Sequence, residues 1–138
     1  MKKLSIGLLV IFLCIAGCSA SVEPELTRID VQKISEEGLN DGEEKIIASN
    51  ETLKKIQQAF DKVKWSPNTK VEMARKEDVF ATFFIQEEKN MPESLYHYRI
   101  WFKGETATII SEKENEGYGR LTDKEQVEVL ESVLLAGE

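Results

Sequence analysis

The sequence predicts an α+β domain: an antiparallel sheet of four to five strands with two amphipathic helices packed on one face. Three observations carry that expectation. Two segments repeat apolar residues at three- and four-residue steps, the period of one helix face. Other runs alternate apolar and polar side chains at period two, as half-buried strands do. The strands after the first helix follow one another through short turn sequences, which favours antiparallel pairing over parallel crossovers.

Leu26–Ser35 opens the domain with the β-branched residues Thr27, Ile29, Val31 and Ile34, and reads as a strand. Glu36–Glu44, with Gly38-Leu39-Asn40-Asp41-Gly42, is a turn-rich loop, and Lys45–Ala48 is a second short strand. Ser49 or Asn50 then caps a helix whose Leu53, Ile56, Ala59, Phe60 and Val63 form one apolar stripe. Lys54, Lys55, Lys62 and Lys64 take its opposite side and C-terminal turn, and Pro67 ends it after Trp65 and Ser66. Three strands follow: Val71–Ala74 leads through polar Arg75–Asp78 into Val79–Gln86, and Leu95–Lys103 and Thr106–Glu112 are joined by a tight Gly104-Glu105 turn. A charged loop, Lys113–Gly119, leads to Thr122-Asp123-Lys124-Glu125, a capping-box sequence. Val127, Leu130, Val133 and Leu134 supply the stripe of the helix that follows.

Ahead of the domain stands a targeting segment. Lys2 and Lys3 form a positive region, Leu4–Leu13 an apolar one, and Ile15-Ala16-Gly17-Cys18 resembles a bacterial lipobox. The apolar run is too short to span ~30 Å of hydrocarbon as a helix. By that resemblance residues 1–17 are a lipoprotein signal peptide and Cys18 becomes a lipidated N-terminus. Residues 18–25 are then its tether, and 26–138 form a single domain. The expected partner of the lipid is the membrane, and the expected location is the extracytoplasmic face of the cell membrane. Cys14 leaves with the signal and Cys18 is alkylated, so the mature chain has no thiol for a disulfide, a redox pair or a metal. Loss of Lys2 and Lys3 takes the formal charge from −7 to −9. A chain this acidic lacks the cations that displace counterions from nucleic acid, so no nucleic-acid partner is expected.

Several segments together carry a family resemblance. They are the strand near Ile29–Ile34 with its Gly/Asn loop, the helix pattern ending Ala59-Phe60, and the strand around Val79–Ile85. Tyr96-His97-Tyr98-Arg99-Ile100-Trp101, Thr106–Ile110 and Gly119-Arg120-Leu121-Thr122 complete the pattern. The chain thereby resembles small Bacillus-type lipoproteins with a YhfM-like domain, over most of residues 26–135. That resemblance implies a Gram-positive cell-surface lipoprotein and supplies no catalytic residue.

The chemistry-bearing residues are few. His97 is the single histidine, and no GxSxG elbow accompanies it. One histidine without thiols makes no zinc site. The acidic runs Asp41–Glu44 and Glu112–Glu116 lack calcium-loop spacing and read as solvated loop, and no phosphate-cradling glycine motif occurs. The sequence therefore predicts no cofactor, no metal and no catalytic residue, and a chain that is not an enzyme. The surface that stands out is the face of two strands opposite the expected helices, where Phe80, Phe84, Leu95 and Trp101 mix with Thr82, Gln86, His97 and Arg99. Phe80, Phe84, His97, Arg99 and Trp101 are the candidate binding face, for an envelope protein or a cell-wall component. The function expected is a non-catalytic interaction module. The alternative is a small envelope hydrolase using His97 or a carboxylate pair. If Trp101 is covered, both faces are core, and the Gly38–Glu44 and Lys113–Gly119 loops become the places to look.

Overall fold

The structure is a computed structural model and describes residues 23–136. The signal segment and Cys18 lie outside the described residues. In chain order the elements are β1 (Glu25–Lys33), β2 (Lys45–Ile47), α1 (Asn50–Asp61), β3 (Lys64–Ser66) and β4 (Val79–Gln86). They continue with β5 (Ser94–Lys103), β6 (Thr106–Ser111), β7 (Tyr118–Leu121) and α2 (Lys124–Leu135). The strands form one antiparallel sheet of seven, ordered β2-β1-β4-β5-β6-β7-β3. The expected α+β class holds, and the expected four to five strands become seven.

The extra strands are short. Lys64-Trp65-Ser66, expected as the end of the helix, pairs with Tyr118–Arg120 instead. Helix α1 stops at Asp61, with the amide of Lys62 donating to the Ala59 carbonyl and that of Val63 to the Phe60 carbonyl. Tyr118–Leu121, expected as loop, pairs with Ala107–Ile110. Val71–Ala74, expected as the start of the strand that runs into Val79–Gln86, makes no ladder. Gly104, at φ +58°, occupies the β5–β6 turn, where a left-handed residue is needed. At α2 the cap is Asp123 rather than Thr122: its carboxylate accepts from the amide of Gln126 at 3.2 Å.

Both helices pack on the same face. Leu53, Ile56 and Ala59 of α1 join Val127, Leu130 and Leu134 of α2 against Ile29, Val31, Val79, Ala81, Ile100 and Ile109 of the sheet. The period-two reading of β4 and β5 therefore assigns their core faces correctly. Gly119 in β7 allows a close approach: a Cβ there would lie 2.6 Å from both the Trp65 ring and Val63.

The opposite face is partly closed, which corrects the reading of Trp101 as an open aromatic. Trp101 is 2% exposed. The segment 75–78, which precedes β4, lies over it as a strap. The indole Nε1–H donates to the Arg75 carbonyl at 2.9 Å. Arg75 forks onto Asp78 at 2.6 and 2.9 Å and donates to the Phe102 carbonyl. The Phe102 amide donates to Asp78 at 2.7 Å, and Arg99 donates to the buried Glu77. Burial alone would raise the Asp78 pKa, but the Arg75 fork and the Phe102 amide outweigh it and hold the carboxyl below its usual range.

Two outcomes follow for stability. Gly119→Ala forces Trp65 or Val63 to move and should lower unfolding free energy by about 1–3 kcal/mol, read from urea denaturation. The native pKa of Asp78 is depressed, so its contribution is present above the unfolded pKa and lost as pH falls through the native one. Asp78→Asn should destabilise the chain at neutral pH, with the gap from the parent closing below about pH 4.

Candidate functional site

The sheet register brings the outward-facing candidates together. Phe80 lies opposite Arg99, Thr82 opposite His97, and Phe84 opposite Leu95. Phe80 stacks on His97 at 5.4 Å between ring centroids, and Arg28 of β1 sits 4.7 Å over the Phe84 ring. His97 Nδ1 is 3.2 Å from Glu112 Oε2, and its side chain is 39% exposed. The Arg99 guanidinium rests 5.0 Å over Trp101 and is held by Glu77 at 3.2 Å. Four of the five candidates thus share a half-open face, while Trp101 lies beneath the strap. None of them lines the hollow described next.

That hollow opens on the helix-covered side, at the end of the sheet where β1 begins. It is a slot of ≈ 320 Å³ between the C-terminal half of α1 and the strands. Leu26, Phe60, Phe83 and Ile85 give it apolar walls. These side chains reach the same place because α1 crosses the sheet and ends over β4 and β5. There Phe60 packs 4.9 Å from Phe83 and 5.1 Å from Tyr98. Tyr98, Glu116, Lys113, Gln57 and Asp61 complete the lining.

Polar groups converge at its rim. The Tyr98 hydroxyl donates to Glu116 Oε1 at 2.7 Å, and the Ser111 hydroxyl donates to the same oxygen at 2.8 Å. Oε2 of Glu116 takes no side-chain hydrogen bond among the described residues. Desolvation, reinforced by the Glu116 carboxylate, pushes the Tyr98 hydroxyl far above its ordinary range, so it remains a proton donor. Beside it the Tyr96 hydroxyl donates to Glu87, and that bond together with burial raises the Tyr96 pKa as well. Lys113 Nζ lies 4.4 Å from the centre of the Tyr96 ring, a cation over an aromatic face. An apolar slot with a few converging polar groups and perturbed hydroxyls is the form that ligand sites commonly take.

With Trp101 covered, the Lys113–Gly119 loop named as a place to look does supply Lys113 and Glu116, but the slot as a whole was missed because each part looked ordinary alone. Tyr98 belongs to the core face, and Glu116 sits in a run of loop charges. The usable signal was Ser111, a hydroxyl on the core face of β6 beside an acidic loop.

Two larger hollows lack such convergence. One of ≈ 670 Å³ runs beside Asp41–Ile46 and the end of α2, with Lys45 bonded to the Val133 and Ala136 carbonyls. Another of ≈ 430 Å³ lies against the strap, whose charges are paired with one another. No group of three metal-ligating side chains occurs among the described residues, and none of their helices is long and apolar enough to cross a membrane.

No family model matches the chain, and no curated protein matches it. Among solved structures, a thioesterase-like protein from Clostridium sporogenes matches with a TM-score of 0.50 at 18% identity, covering 81% of this chain and 96% of that one. At that identity the likeness is one of fold. It corrects the sequence-based expectations of a non-catalytic interaction module and of a chain that is not an enzyme, because a thioesterase-like protein is built on this fold.

Proposed function

We propose that the chain is a lipid-anchored hydrolase of the cell envelope that cleaves acyl thioesters or esters at the α1–sheet slot. The observation that carries the reading is Glu116, a carboxylate fixed by two hydroxyl donors at the mouth of an apolar slot. The thioesterase-like fold neighbour supports it and supplies the bond type.

In this reading the acyl chain lies along Leu26, Phe60, Phe83 and Ile85, each buried methylene contributing ~0.8 kcal/mol. The reacting carbonyl stops at the rim. Tyr98 and Ser111 hold Oε1, so Oε2 faces the incoming water and takes its proton as the water oxygen bonds to the acyl carbon. The carbonyl electron pair moves onto oxygen, where the Gln57 amide that lines the slot is the available donor. Collapse breaks the carbon–sulfur or carbon–oxygen bond, and the proton passes to the leaving group. The products are a carboxylic acid and a thiol or alcohol.

The address belongs to the same proposal. Lipidation at Cys18 and kinship with YhfM-like lipoproteins would place the domain on the extracytoplasmic face of the membrane. Cys18 stands eight residues before Leu26, a tether of at most ~28 Å at ~3.5 Å per residue. The slot would then open within reach of the bilayer.

Glu116→Gln preserves the shape of the side chain and removes the base. With an octanoyl thioester as probe, it should lower kcat by about 10²–10⁴ while leaving KM nearly unchanged. His97→Ala should leave the rate unchanged; loss with His97→Ala and retention with Glu116→Gln would move the base to the other face. For the address, metabolic labelling with a fatty acid should mark the wild-type chain and fail to mark Cys18→Ala.

A further inference from the structure

The slot's charge surroundings narrow its substrate. We infer, building on the hydrolase reading, that the group leaving from the acyl chain is cationic or carries an ammonium, and that anionic carriers are rejected.

The apolar walls select the acyl part, so discrimination of the other part falls to whatever surrounds the mouth. Three segments meet there. Glu25 pairs with Gln86, Ile85 pairs with Ser94, and Tyr98 pairs with Ser111, so residues 23–26, 86–93 and 112–117 all gather at one end of the sheet. Together they carry eight carboxylates against Lys89 and Lys113, and with Glu112 turned to His97 on the opposite face seven remain for this end. Helix α1 adds Asp61, which itself lines the slot. Lys113 points its ammonium onto the Tyr96 ring, so the one cation lining the slot turns inward to an aromatic face. A leaving group outside the slot therefore meets a negative field in a domain whose overall charge is also negative. An anionic carrier is repelled along the same path that draws a cationic one. The inference stands on the slot; the carboxylates supply its selectivity.

The test uses the full-length lipoprotein in detergent and one octanoyl chain on three leaving groups: thiocholine, 2-mercaptoethanol and mercaptoacetate. At low ionic strength kcat/KM should fall in that order, with about tenfold or more between the first and last. At 0.5 M salt the difference should largely disappear, because charges beyond a Debye length of a few ångströms are screened. Glu114→Lys, an exposed substitution outside the catalytic set, should narrow the ratio at low salt. Equal rates on the three probes, or faster cleavage of the mercaptoacetate ester, would overturn the inference. A second readout is independent of catalysis: calorimetric binding of decyltrimethylammonium against decyl sulfate, both below their micellar concentrations. If no probe is cleaved but the ammonium compound binds more tightly, the hydrolase reading fails and the charge selectivity stands. If the sulfate binds as well, or neither binds, the selectivity fails whatever the rates.

Discussion

A seven-stranded sheet is about 29 Å wide at ~4.8 Å per strand, and one of its faces must be kept from water. Two helices lying side by side at 8–10 Å cover only about 20 Å of that width. Each helix has twelve residues and runs about 18 Å at 1.5 Å per residue, less than the longest strands. The mismatch is the constraint on which the rest depends. Where the helices meet, Leu53, Ile56, Ala59, Val127, Leu130 and Leu134 seal the sheet almost completely. At the end of α1 the cover thins: Leu26 and Phe83 are still buried, Ile85 and Phe60 are only half-buried, and the slot lies along that edge. Phe60 and the polar rim close it from the sides, which accounts for an apolar floor beneath a charged opening.

The opposite face meets its own version of the problem without helices. Phe80, Phe84 and Trp101 cannot all stand in water cheaply, and the strap from Arg75 to Asp78 shelters one end of the row. Its cohesion is polar. Glu77 is buried at 5% exposure yet accepts from Arg99, and Asp78 is bonded on both oxygens. Such pairs add little as isolated surface bridges. Here they satisfy the groups that must be buried if the strap is to lie over the indole, whose Nε1–H would otherwise lack an acceptor. The strap thus converts an aromatic face into a half-open one, leaving His97 and its neighbours partly wet.

What the sequence made legible follows from which interactions are periodic. The bounds of β4, the core faces of β4 and β5, and both helix stripes depend on burial at period two or 3.6, and all were readable. The edge strand Lys64–Ser66 has three residues, too few to show a period, and its Trp65 looked like the last turn of a helix. It is fixed as a strand by Gly119 across the ladder, a long-range match between an aromatic ring and a missing Cβ. Val71–Ala74 has strand-like composition but no partner, and composition alone does not make a ladder. At α2, Thr122 and Asp123 are both good caps, and the backbone decides between neighbours. The slot was illegible for the same reason as β3. Tyr98, Ser111 and Glu116 are brought together by register, and register appears only once strands are paired.

The comparison between the two bases on offer follows from shape rather than from intrinsic chemistry. His97 with Glu112 is the more familiar acid–base pair, an imidazole beside a carboxylate. Its side chain, however, stands on an open sheet face where water competes for every hydrogen bond it could offer a transition state. Glu116 has only a carboxylate, but both its orientation and its surroundings are set by the fold. Tyr98 is held protonated by burial, Ser111 reaches the same oxygen from the neighbouring strand, and the slot lies beside both. Positioning of that kind favours a hydrolytic step, because reorganisation has been done during folding. The same register that makes Tyr98 a core residue therefore fixes the Glu116 carboxylate at the slot.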